Sequence, residues 1–138
     1  MKTSIKSFSE LSIQELYAVL QLRSEVFVVE QDCVYQDLDG KDQKAIHILG
    51  YEQDQLVAYT RIFKPGDYFE KSSIGRVVVS PQHRGKSYGQ EIMNASLAFA
   101  KAEKYTFVMI SAQCYLDKFY KDLGFVFTGE KYLEDGIP

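Results

Sequence analysis

The chain has 138 residues, 46% of them apolar and 25% charged, enough to fill one core within a single domain spanning residues 1–138. A net charge of −3 and a pI near 5.4 argue against bulk attraction to nucleic acid. No apolar run is long enough to span a membrane and the first residues, M-K-T-S-I-K-S-F-S-E-L, lack a signal-peptide core, so a cytoplasmic protein without membrane contact is expected.

Taken in order, Ser12 and Glu15 form the S-x-x-E of a capping box. Leu16, Leu20, Arg23 and Phe27 follow at helical spacing, which predicts a first helix. A polar, glycine-containing connection runs over 31–44. Residues 45–50 and 55–63 then read as a hairpin turning at Gln53 and Asp54. Lys64-Pro65-Gly66-Asp67 breaks the chain before the next strand. The cysteines, Cys33 and Cys114, are far apart and without metal-ligand spacing, so two reduced thiols and no metal are expected. Asn94-Ala95-Ser96 matches a glycosylation sequon, but it falls inside a predicted helix and reads as chance.

The most informative stretch is 74–89, I-G-R-V-V-V-S-P-Q-H-R-G-K-S-Y-G. Val77, Val78 and Val79 are β-branched and favour a buried strand. Ser80 and Pro81 stop it, since proline has no N–H for the ladder. A short basic loop with His83, Arg84, Gly85, Lys86 and Ser87 follows, and helical spacing begins at Tyr88, just before Gly89. A strand, a glycine-bearing turn and a helix N-terminus direct several backbone N–H groups at one spot, which with two cations makes a cradle for a phosphorylated anion. A nucleotide-binding P-loop is excluded, because Ser80 stands where its first glycine is required.

The predicted helix continues over 88–104, with Ile92, Ala95, Ser96 and Phe99 on one face. A β-rich run covers 105–111. Leu116, Phe119, Tyr120 and Leu123 recur at helical spacing up to Gly124, and 125–132 returns to strand. The order gives an α/β fold with a mixed central sheet, in which the strands starting near Ile74 and Tyr105 lie parallel across a helical crossover.

Charge is unevenly spread. Over 23–42 six acids (Glu25, Glu30, Asp32, Asp37, Asp39, Asp42) stand against Arg23 and Lys41, a local −4, while 82–89 carries a local +2. Either the acidic stretch draws a cationic ligand to its own mouth, away from the basic turn, or it is a solvated loop.

V-x-V-x-P followed by Q/R-x-x-G-x-G/A, met here by Val77, Val79, Pro81, Gln82, Gly85 and Ser87, resembles the acetyl-CoA signature of the GNAT acyltransferases, with serine where that family prefers glycine or alanine. F-Y-K-D-L-G-F at 119–125 resembles the family's F-Y-x-x-x-G-F. L-R-S-E-V-F-V-V-E-Q at 22–31, L-D-G-K-D at 38–42, S-A-Q at 111–113 and the ending G-E-K-Y-L-E-D-G-I-P are similar to the ElaA-type subgroup. The resemblance implies a GNAT-like fold whose two central parallel strands splay around the pantetheine and acyl chain; the family's last strand would begin after Pro138, so either the sequence stops short of it or the final pairing is made differently. It also implies acetyl-CoA as cosubstrate, held by Val77, Val78, Val79, Arg84, Gly85, Lys86, Ser87, Tyr88 and Gly89, and a small-molecule or peptide amine as acceptor.

The same resemblance places Tyr120 beside the thioester sulfur as the acid that protonates the leaving thiolate. A phenol with a reference pKa of about 10 is still protonated at neutral pH, although Tyr120, four residues after Leu116, would also extend an apolar face. A backbone N–H of the 77–79 strand would polarise the carbonyl while a deprotonated amine attacks directly, with no covalent enzyme intermediate. Glu30, His47 and Glu130 are candidates for the base. Arg76, a fixed charge in an apolar strand, either anchors a ligand carboxylate or pairs with an acid, and the pairing is favoured. The alternative function is a non-catalytic acyl-CoA-binding sensor or structural module. Oligomeric state is left open, with a homodimer among the options.

Overall fold

Residues 46–63 set the frame. Their apolar run folds as an antiparallel hairpin of β2 (Ile46–Glu52) and β3 (Gln55–Phe63), closed by Gln53 and Asp54 with Gln53 at φ 55°. A computed structural model describes residues 1–30, 37–67, 72–105, 108–111, 126–128 and 131–134. On one side of the hairpin lies β1 (Lys2–Ser7), an edge strand that sequence pattern did not predict. It has one large apolar side chain, Ile5, and that is half exposed, so no period-2 signal exists. On the other side β3 pairs with β4 (Ser72–Val79).

The sheet has seven strands in the order β1-β2-β3-β4-β5-β7-β6, where β5 is Val108–Ser111, β6 Val126–Thr128 and β7 Lys131–Glu134. Among these pairings only β4 and β5 are parallel, and the crossover between them carries helix α2 (Tyr88–Ala102). The mixed sheet and parallel central pair match expectation. The C-terminal end differs in one respect: 125–132 reads as a single strand, but its described residues fall in two, β6 and β7. These pair with each other, and β7 inserts between β6 and β5. The helix read over 116–123 lies outside the described residues.

Helix α1 (Ile13–Ser24) starts at the capping box as read: Ser12 Oγ accepts from Glu15 N at 3.0 Å, and Glu15 Oε1 accepts from Ser12 N at 2.9 Å. Its buried stripe is Val19, Leu22 and Arg23, continued by Val26 where 25–30 widens into a π turn; of the expected Leu16, Leu20, Arg23 and Phe27 face, Arg23 is fully buried and the others lie a notch round. Val19, Leu22 and Val26 pack with Leu49, Tyr59 and Val78 on one side of the sheet. On the other, Ile92, Met93 and Ala100 of α2 pack with Ile48, Val57, Ile62 and Ile74. Thr60 and Ser96 hydroxyls bond at 2.6 Å across that interface, so neither is left unsatisfied in the core.

Candidate active site

Two features mark β4. Among the described residues its parallel pairing with β5 runs through Ser72, Ser73 and Ile74, opposite Val108, Met109 and Ile110. On the β3 side, just past those pairs, Tyr59 faces Val78 but Arg61 faces Gly75, so two steps on β3 match three on β4. The extra residue is a β-bulge, which leaves backbone groups outside the ladder and bends the strand. Arg76 sits in it at φ 50°, a left-handed position that glycine ordinarily fills. Such a conformation costs about 1–3 kcal/mol and persists only when its surroundings hold it.

Those surroundings are ionic. Three arginines, from α1, β3 and β4, converge on three aspartates of one loop. Arg76 Nε donates to Asp37 Oδ1 at 2.8 Å and its Nη2 to the Asp37 carbonyl oxygen at 3.0 Å, with Asp39 Oδ2 at 3.5 Å. Arg23, fully buried, donates from Nε to Asp37 Oδ2 at 3.0 Å and from Nη1 to Asp42 Oδ1 at 2.8 Å. Arg61 reaches the same Asp42 oxygen at 2.9 Å and grips Asp39 with two bonds of 3.0 and 2.5 Å. Burial opposes ionisation of Asp39 and Asp42, but the Arg61 bonds at Asp39 and the Arg23 bond at Asp42 outweigh it, and both stay well below the usual carboxylate range. These three aspartates of the acidic stretch do not form an open mouth: Asp37, Asp39 and Asp42 are turned inward to pair with arginines. Sequence reading singled out Arg76 as needing an acid. It missed Arg61, an equally apolar-flanked arginine, and took Arg23 only as a helical spacing match.

His47 belongs to the same layer. Its Nε2–H donates to the Asp42 carbonyl oxygen at 3.0 Å, leaving Nδ1 to accept the Tyr59 hydroxyl at 2.5 Å. Burial is the main reason its pKa falls below the ordinary 6.5, with the Asp42 carbonyl pulling partly the other way. The unfolded chain then takes up a proton that the folded one resists. Stability from this group is complete above about pH 6.5 and is lost as pH falls through the folded pKa. Urea titrations from about pH 7 down to 5 are expected to show that decline, and His47→Gln to flatten it. An unchanged slope in the variant would assign the decline to other groups.

The turn expected to cradle phosphate follows β4. Ser80 N donates to the Val57 carbonyl at 2.7 Å, residues 81–83 make one tight turn, and Gly85 at φ 83° turns the chain toward α2. Ser87 caps α2 at φ 64°, which explains why glycine suits this position: a serine there carries left-handed strain. Tyr88 opens the helix and hydrogen-bonds the Glu52 carboxylate at the hairpin end, a bond that pushes its phenol up to about 12. Lys86 Nζ lies 6.0 Å from the Tyr88 ring centroid. Val77 and Val79 face the α2 core while Val78 faces α1.

The basic turn and the acidic stretch, read as separate, meet. Glu30, at the end of the π turn, accepts two bonds of 2.7 Å from Arg84, and that guanidinium holds the Glu30 carboxyl below its usual range. Tyr120 and Glu130 lie outside the described residues. So do Cys33 and Cys114.

Residues 7–138 match the sequence profile of the acetyltransferase (GNAT) domain. The chain belongs to the GNAT family. It is similar to protein ElaA of Escherichia coli, 49% identical over 135 residues, covering 94% of this chain and 87% of that protein. The crystal structure of Escherichia coli ElaA superposes with a TM-score of 0.86 over 96% of both chains, at 41% identity in the structural alignment. An acyl-CoA N-acyltransferase from Pseudomonas aeruginosa gives the same TM-score at 36% identity, over 96% of each chain. In this GNAT chain the β4–β5 pairing, the β4 bulge and the glycine-bearing turn follow one another along β4 into α2. No helix among the described residues is long and apolar enough to cross a membrane, and none of their His, Cys, Asp and Glu side chains form a group of three or more that could hold a metal.

Proposed function

We propose that this protein moves an acetyl group from acetyl-CoA to a small-molecule or peptide amine by direct attack. The observation that carries the reading is the bulge in β4 just past its parallel pairs with β5, leading into a basic turn at the head of α2, in a chain that matches the GNAT profile over 7–138. In this reading the turn from Arg84 to Gly89 takes the cofactor phosphates through N–H groups and cations. An N–H of the 77–79 segment polarises the thioester carbonyl. The amine attacks, the tetrahedral intermediate collapses, and Tyr120 protonates the departing thiolate.

Of the described candidates for the base, His47 has both nitrogens engaged and resists protonation, and Glu30 stands at the basic turn, paired with Arg84 until a phosphate takes that guanidinium. The amine enters as its free base in this scheme.

Calorimetry with acetyl-CoA tests the cradle. Binding is expected to weaken with added salt, to fall for CoA stripped of its phosphates, and to fall about tenfold for Arg84→Ala, the loss of one charge-assisted contact. Absence of binding to any CoA compound would overturn the reading. An amine screen following free-thiol release then separates transfer from storage: binding without transfer to any amine would favour the sensor module.

A further inference from the structure

The bulge poses a physical question that the reaction scheme leaves open. Its left-handed residue is an arginine with an ordinary Cβ, next to Gly75, which could have taken a left-handed φ at no steric cost. What the arginine brings is a side chain that reaches the 37–42 loop. Asp37 is the hinge of that contact. One carboxylate oxygen takes Arg76 Nε at 2.8 Å, the other takes Arg23 Nε at 3.0 Å, and its carbonyl oxygen accepts from both guanidiniums, at 3.0 and 3.2 Å. The Asp37 carboxylate is 2% exposed, so these bonds act in a dry setting where geometry is enforced. The strained backbone at Arg76 is thereby tied through one aspartate to α1.

We infer that Asp37 is a positioning residue: acting through Arg76, it fixes the β4 bulge so that a strand N–H is aimed at the thioester carbonyl. The inference rests on the acyltransferase reading above. Asp37 touches no reacting atom. Its contribution is to hold a donor still before the charge develops, which is what makes such a donor effective.

The test needs no acceptor amine. Infrared difference spectra of acetyl-CoA carrying a 13C-labelled carbonyl, bound to the full chain, report polarisation of the thioester directly. In the wild type the bound band is expected to move to lower frequency than in solution. Asp37→Asn keeps the shape and the backbone carbonyl but puts an N–H₂ where one guanidinium needs an acceptor, and the band is expected to return toward its solution position. Asp42→Asn is the control, because it disturbs Arg23 and Arg61 without a bond to Arg76, and its band is expected to stay with the wild type. Arg76→Gly removes the tether while accepting the left-handed φ, so it carries the test even where Asp37→Asn fails to fold. It is expected to lose the shift, and adding Asp37→Asn to it is expected to change nothing further.

A shifted band in the wild type that persists in Asp37→Asn or in Arg76→Gly overturns the positioning role alone. So does a band that Asp42→Asn displaces as far as Asp37→Asn does, or one that Asp37→Asn still displaces in the Arg76→Gly background. A wild type that binds acetyl-CoA with an unshifted band overturns the polarising strand itself, and with it the proposed mechanism.

Discussion

Replacing Tyr120 with phenylalanine is expected to lower kcat by roughly 100-fold or more while leaving the Kd for acetyl-CoA nearly unchanged. General acid catalysis by a positioned side chain contributes on the order of 10²–10⁴ in rate, and phenylalanine removes the proton without removing the ring. The two halves of this expectation must be measured together, kcat with an active amine and Kd by calorimetry. A thiolate forced to leave without a proton slows the chemical step only, so loss of affinity in parallel with rate would indicate damaged packing instead. Full retention of kcat would make Tyr120 a member of an apolar face, as its position four residues after Leu116 allows.

The largest effect on stability is expected at Asp42. Its Oδ1 accepts from both Arg23 and Arg61, and these guanidiniums are almost fully buried. Asp42→Ala strips a partner from two buried cations at once, and breaking a buried pair in this way costs about 3–5 kcal/mol. Lys6→Ala, which opens the partly exposed bridge to Glu15, is expected to cost less than about 1 kcal/mol. Urea midpoints of the two variants at one pH make the comparison. Equal losses would mean that the arginine–aspartate layer is no more than a surface network.

How much of this was legible in the sequence depended on whether the signal was local. The capping box at Ser12, the hairpin turn at Gln53 and the valine strand running into Gly85 each announce themselves within a few residues, and each was found where it was expected. The edge strand β1 has no such signal, because Lys2, Thr3, Ser4 and Lys6 satisfy their backbone in a ladder without burying a face. The insertion of β7 between β5 and β6 is a long-range choice, and alternation along 125–132 says nothing about which neighbour a strand takes. Charge counting misled for a related reason. It records the six acids between 23 and 42 but not the arginines at 61 and 76 that meet three of them, nor the Arg84 that meets Glu30 from 54 positions away. Partnership across such distances is a property of the fold.

The Glu30–Arg84 contact has a consequence for what can occupy the turn. An anion that engages this guanidinium does not arrive at a bare cation, since it must displace a carboxylate that already makes two bonds. The net attraction is the difference between two anions, which makes the turn an ion exchanger. A chloride or a lone carboxylate has little to offer over the resident group. A phosphate with more charge and three acceptor oxygens has an advantage on both counts. For an anion that takes this turn, discrimination between weak and strong competitors would thus reside in the glutamate that it must expel.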